Sequence, residues 1–313
     1  MDHCLLYYSK YKISDIKFKQ EGAMKKLMLS FFLILMIVPL GFSQGDKGLK
    51  VFISVDMEGI TGVVHWEEVS RTGKDYDYFR KVMTKETNAA VEGALAAGAT
   101  DILVRDSHGS ARNILPELLH TEAKLLRDWS GEHLSMMEGI DNKFDAVIFI
   151  GYHAKAGTPN ALLEHTMSGS VTDVSINGVS LPEAGINALI AGLYDVPVVF
   201  LAGDLAICEQ AKAMFGELET VAVKKGIGSA ALNIHPDKAR EKIREGVKKA
   251  LLNLNRYRPY KLKPPYTMVL KLKQEELVFK KSYYPGGERT GDWELTYKSK
   301  DLMEVIKAFY WMH

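Results

Sequence analysis

The chain is poor in cysteine, in net charge and in long apolar runs, and each shortage excludes something. Forty basic against 39 acidic side chains leave a formal charge of +1, so no basic field points to nucleic acid. No internal repeat or low-complexity linker interrupts the 313 residues, and 47% apolar with 25% charged residues is ordinary globular composition. The most apolar run, Leu27 to Phe42, is broken only by small or turn residues such as Ser30 and Pro39. It is shorter than the ~20 residues a spanning helix needs. Met24-Lys25-Lys26 precedes it and Gly41-Phe-Ser-Gln44 closes it. A short positive start, an apolar core and small residues before a cut describe a secretory signal peptide. Residues 24–43 are therefore read as an export signal, residues 1–23 as a mis-called upstream extension, and the protein as periplasmic or secreted. It would have no stable membrane association once the signal is removed; the rival is an uncleaved anchor. Residues 1–43 carry six Lys and three acids, so the remainder is formally −2. They also carry Cys4, which leaves Cys208 alone and excludes an internal disulfide and a thiolate zinc cluster.

What remains is a series of apolar strands that end in chemistry. Val51 to Val55 reads as a buried strand delivering Asp56 and Glu58, with Gly59 and Gly62 turning the chain away. Side chains two apart on an extended backbone share a side, and two carboxylates there repel unless a cation lies between them. Residues 78–97 recur at helical spacing and stop at Gly98. A second strand, 101–105, runs into Asp106-Ser-His108, a third, 145–150, into Gly151-Tyr-His153, and a fourth, 196–201, into Asp204. Strand, helix and strand in about 55 residues make a parallel βαβ unit. In open parallel sheets ligands bind beyond the carboxyl ends of the strands. Asn177-Gly178 suits a hairpin turn, and Pro182-Glu183 opens a helix to about Tyr194. The fold class is α/β: a mostly parallel central sheet flanked by helices, at about 49–205, with a smaller α+β subdomain at about 215–313.

Asp56, Glu58, His108, His153 and Glu183 form the candidate metal set. Mixed carboxylate and imidazole ligation suits Zn²⁺, Mn²⁺, Co²⁺ or Fe²⁺. Five ligands exceed one tetrahedral zinc, and a carboxylate shared by two ions about 3.5–4 Å apart accounts for the number; Asp56 is placed to bridge. His165, twelve residues after His153, is either a further ligand or the catalytic acid/base. Asp106 and Asp204 are candidates to orient a ligating imidazole. His65, His120, His133 and His235 read as surface residues. Ser107 lacks the Gly-x-Ser-x-Gly setting of a serine nucleophile.

Ser54-Val-Asp-Met-Glu-Gly-Ile-Thr-Gly62, Asp106-Ser-His108, Gly151-Tyr-His-Ala154, Glu164-His-Thr-Met167 and Glu183-Ala-Gly-Ile-Asn-Ala188 resemble, in order, the motifs of the D-aminopeptidase family of zinc metallopeptidases. The resemblance runs from about Lys50 to the C-terminus. It implies a two-domain α/β subunit in a homo-oligomeric ring, two zinc ions on Asp56, Glu58, His108, His153 and Glu183, and His165 as catalytic residue. It also implies removal of N-terminal D-residues from short peptides. Arg105 stands where an amide is usual, and Pro182 and Ala184 flank Glu183 where Gly and a larger apolar residue are usual. These departures lie at the site's edge and bear on substrate choice. Two further readings stay open: a two-metal amidase or phosphoesterase, and a non-catalytic periplasmic metal- or peptide-binding protein.

Overall fold

The computed structural model describes residues 48–313, so the expected signal peptide and the upstream extension lie outside the described residues. In chain order the elements are β1 (Leu49–Val55), α1 (Trp66–Val69), α2 (Tyr76–Leu95), β2 (Ala99–Asp106), β3 (Ala123–Leu126) and β4 (Ala146–Tyr152). Then come β5 (Val171–Ile176), β6 (Val179–Ser180), α3 (Glu183–Leu193), β7 (Val198–Asp204), α4 (Leu205–Phe215), β8 (Glu219–Ile227) and β9 (Ala230–Asn233). The chain closes with α5 (Pro236–Leu251), β10 (Tyr266–Leu272), α6 (Glu275–Lys281), β11 (Gly287–Gly291), β12 (Glu294–Ser299) and α7 (Leu302–Met312).

Seven strands pair in the order β3-β2-β1-β4-β7-β8-β9, parallel except for the last pair. The continuous apolar runs of β1 and β4 follow from burial on both faces. Val51, Ile53 and Val55 face one core with Ile148 and Ile150, where Met83 of α2 and Ile243 and Val247 of α5 cover them. Phe52, Val147 and Phe149 face the other, shared with α3, α7 and the second sheet. That second sheet, β11-β12-β10-β5-β6, is antiparallel throughout. Asn177 and Gly178 both take positive φ in its β5–β6 turn, as a two-residue hairpin of the expected type requires.

The expected division near residues 205–215 does not follow the sheets. The seven-stranded sheet continues through β8 and β9 to Asn233, and the second sheet takes β5 and β6 from the first half of the chain. The apolar stretch of β8 finds its partner on the open edge of β7, whereas the alternating pattern of β5 suits a half-covered antiparallel sheet. Helix α4 forms directly after β7, where the sequence reading has no element, and the short α1 forms between β1 and α2.

Candidate active site

Strands β2, β1 and β4 are neighbours, so their carboxyl ends open at one place. The Ser107 amide donates to Val55 O at 2.8 Å, the Asp56 amide to Ile150 O at 2.8 Å and the Gly59 amide to Gly151 O at 2.7 Å. This weave needs two glycines. A Cβ on Gly59 would lie 1.9 Å from Tyr152 O, and one on Gly151, whose φ is +71°, would lie 2.1 Å from Asp56 O. The tight crossing brings Asp56, Glu58, His108 and His153 together, the first three lining one cavity and His153 buried beside Asp56.

The second sheet supplies the rest. Leaving the β5–β6 hairpin, the chain enters α3 at Glu183, whose carboxylate is buried in the first turn. Glu183 Oε1 accepts the Met167 amide at 2.6 Å and Oε2 lies 3.5 Å from His153 Nε2. His165 Nε2 lies 3.5 Å from Glu183 Oε1, and the His165 ring stacks on His153 with centroids 4.2 Å apart. Leu163 and Met167 on either side of His165 both take left-handed backbone conformations. Such strain persists only where surrounding contacts hold it, and here Glu183 holds Met167. All six residues singled out as ligands or catalytic group thus meet in one site.

Each imidazole is fixed by a backbone carbonyl, which can only accept a hydrogen bond. His153 donates through Nδ1 to Ala154 O at 2.9 Å, and His165 through Nδ1 to Leu163 O at 2.8 Å. His108 donates through Nε2 to Val69 O at 2.9 Å, leaving Nδ1 2.9 Å from Glu58 Oε2 and 3.2 Å from Asp56 Oδ1. The free nitrogens of His108 and His153 therefore face carboxylates. Burial opposes charge on His153, but Glu183, Asp56 and Glu58 outweigh it and hold its pKa up at about 10. His108 is likewise held well above the usual imidazole range, by Glu58 and Asp56 against burial. Burial, with repulsion from Glu58, pushes Asp56 up to about 8. Glu58 and Glu183 stay below the usual carboxylate range despite burial, because imidazoles lie beside them.

The donor set fits divalent cations. Asp56, Glu58 and His153 bring ligand atoms within 4.8 Å of one another, and so do His153, His165 and Glu183. His108 joins the first group through its contacts with both carboxylates. Asp56 Oδ2 and His153 Nε2, 3.4 Å apart, are buried without a hydrogen-bond partner. A buried polar atom without a partner is costly unless something completes it, and a divalent cation would complete both of these. The second group leaves His165 open to either of its two sequence-derived roles.

Two expected orienting residues do something else. Asp106 accepts from the Asn113 amide at 2.6 Å, the Ile114 amide at 2.7 Å and Asn113 Nδ2 at 2.7 Å. It holds the loop that carries His108 and touches no imidazole. Asp204 caps α4 by accepting the Ile207 amide at 2.9 Å, because a helix starts immediately after that strand end. Ser107 is no nucleophile candidate: its hydroxyl shares a buried network with Ser54 at 2.8 Å and Met136 O at 3.2 Å. Ser54 continues it to the Tyr152 hydroxyl at 2.7 Å, which Asn187 of α3 also reaches at 2.9 Å. This polar bed ties the seven-stranded sheet to α3, the helix that carries Glu183.

Sequence reading missed two buried charged residues. Lys224 of β8 is 2% exposed, and burial pushes its pKa down to about 8 against the pull of Asp204 and Glu86. Glu86 is fully buried on α2 and is pushed up to about 7 by burial. Each has a signal: Lys224 follows the apolar run 221–223, and Glu86 lies on the apolar stripe of Met83 and Ala90.

Above the donors opens a cleft of about 710 Å³ whose walls include Trp66, Arg71, Trp129, Met136, Met167 and Tyr310. Trp66 meets the His165 ring edge-on at 5.4 Å. Arg105 lies under the opposite wall, fully buried. It donates to Asp128 O at 2.7 Å, pairs with Glu138 at 3.2 Å, and stacks its guanidinium 4.3 Å from the Trp129 ring centroid. The unusual Arg therefore braces a wall and does not touch the donors.

A family model described as D-aminopeptidase matches residues 49–311. A D-aminopeptidase of Bacillus subtilis (strain 168) is 36% identical over 269 residues, covering 83% of this chain and 95% of that relative. Among solved structures, the Zn-dependent D-aminopeptidase DppA from Bacillus subtilis, described as a self-compartmentalizing protease, matches with a TM-score of 0.81 at 33% identity. That match covers 84% of this chain and 96% of DppA. Because the match spans both sheets and every element of the site, this chain belongs to the D-aminopeptidase family.

Proposed function

We propose that this chain is a metal-dependent aminopeptidase that removes the N-terminal residue of short peptides, D-residue peptides in particular. In this reading Asp56, Glu58, His108, His153 and Glu183 hold two zinc ions and His165 handles the proton. The observation that carries it is the meeting of six acids and imidazoles, drawn from positions 56 to 183, around two buried atoms that lack partners. The relatives' D-aminopeptidase activity and zinc dependence point the same way.

Bound zinc supplies a Lewis acid for the scissile carbonyl and makes water more acidic. The residues of the chain do the rest. His165 has its Nδ1 committed to Leu163 O, so Nε2 is the atom that takes a proton from attacking water and returns it to the departing amine. Glu183 beside Nε2 stabilises the imidazolium between these steps. The aromatic walls exclude water and orient the substrate, and the cleft volume suits a short peptide. We read the enzyme as a homo-oligomer, supported by DppA's self-compartmentalizing description. Residues 24–43 support export.

Purified protein is to be assayed with D- and L-alanyl p-nitroanilides and p-nitrophenyl phosphate, with and without chelator. Chelator-sensitive turnover of the D-anilide is the expected result. Phosphate ester turnover alone would favour the phosphoesterase alternative, and no turnover with tight metal binding would favour the binding-protein alternative. Sedimentation of the same sample reads the assembly, and N-terminal sequencing of the exported form reads the cut.

A further inference from the structure

Asp56 and Glu58 belong to a turn, residues 56–63, that leaves β1 with no sheet or helix partner for most of its backbone groups. Its polar atoms must be paired by something else if the turn is to hold one shape. The Asp56 and Gly59 amides are held by β4 and the Gly62 amide by Asn233 Oδ1 at 2.9 Å; two buried charged side chains pair further groups from two sides. Lys224, reaching in from β8, donates through its single Nζ to the carbonyls of Glu58, Ile60 (3.2 Å) and Val63 (2.6 Å). An ammonium has three protons, so all three are used, each on a different residue of the turn. From α2, Glu86 accepts the Thr61 amide at 3.1 Å. Lys224 makes no contact with the cleft. It spans more than 160 positions of sequence to grip a segment of six residues.

We propose that Lys224 is a positioning residue for metal binding: its ammonium fixes the turn that carries Asp56 and Glu58 and thereby sets the affinity of the site. This rests on the metal reading above. A charge buried in a fold solely to fill space would be replaceable by a methionine of similar length, with uniform loss of stability. A charge that shapes the ligand turn has a further effect, because the ligands then sample geometries that no longer converge. Outer partners that orient ligands typically change metal affinity by about 10- to 100-fold when removed.

The test compares wild type, Lys224→Met, Lys224→Gln and, as a control, Val247→Ala, which opens a cavity where α5 packs on Gly93 of α2. Zinc affinity is measured by competition with a chromophoric chelator, and melting temperature is measured with chelator and with zinc. We expect Lys224→Met to bind zinc about 10-fold or more weaker and to gain less melting temperature from zinc than wild type. Lys224→Gln, which keeps a donor, should fall between. Val247→Ala should melt lower with unchanged zinc affinity. Unchanged affinity in Lys224→Met would overturn the proposal, and so would failure of both Lys224 variants to fold, since Lys224 would then serve the whole fold. A wild type that binds no zinc would instead overturn the metal reading itself.

Discussion

The two sheets of this molecule contribute to one cleft in different ways. The seven-stranded sheet is buried on both faces, and its adjacent strand ends place Asp56, Glu58, His108 and His153, with Lys224 closing the turn that carries the first two. The antiparallel sheet holds no strand-end ligand. It sends Glu183 in on the helix that follows its hairpin, and α7, packed against it, adds Tyr310 to the wall. The first region thus sets the chemistry, while the second completes and encloses it. Damage near the strand ends should therefore remove turnover, and damage to the walls should change which peptide binds.

The largest effect is expected at His153, the donor common to both groups. His153→Ala should cut turnover by more than about 10⁴-fold and release zinc, checked by activity and metal content together. His165→Ala sharpens the contrast: kcat should fall by about 10²- to 10⁴-fold, while zinc content stays at the wild-type level. Loss of zinc in that variant would make His165 a ligand instead. On the wall, Trp129→Ala should raise KM by about 10-fold with kcat little changed. Arg105→Gln should do the same more weakly, because Trp129 keeps its own bond from Nε1 to Gly109 O.

The smallest effect concerns stability. Glu86 is held up at about 7 in the folded protein against an ordinary value of 4.5. The folded state therefore binds its proton more tightly than the unfolded chain does. Its favourable contribution is complete below pH 4.5 and is lost as pH rises through about 7. Glu86→Gln has no such loss, so its stability relative to wild type should rise between pH 4.5 and 7.5, by up to about 3 kcal/mol. Denaturant titration across that range reads it; a flat difference would mean that Glu86 stays ionised throughout.

The strand-end residues were legible because a short apolar run followed at once by Asp, Glu or His is a local pattern. His165 was legible only through the resemblance and its lack of any apolar setting. Pairings between distant segments were not legible. Nothing near Val171 says that β5 will leave the parallel sheet, and nothing near Glu219 says that β8 will join it. The roles of Asp106 and Asp204 were misread for the same reason: an acid at a strand end can face a site, a loop or a new helix, and only the next turn of chain decides. Arg105 read as an altered site residue, but its guanidinium points away under Trp129. Lys224 and Glu86 broke apolar patterns, which was the one available sign that each had a buried partner.

The most direct test is an anomalous difference map at the zinc absorption edge from crystals of the zinc-loaded protein. Two peaks about 3.5–4 Å apart, within bonding distance of Asp56, Glu58, His108, His153 and Glu183, are the predicted result. A fully active crystal with no peak among these side chains, or with zinc bound elsewhere on the chain, would contradict the account.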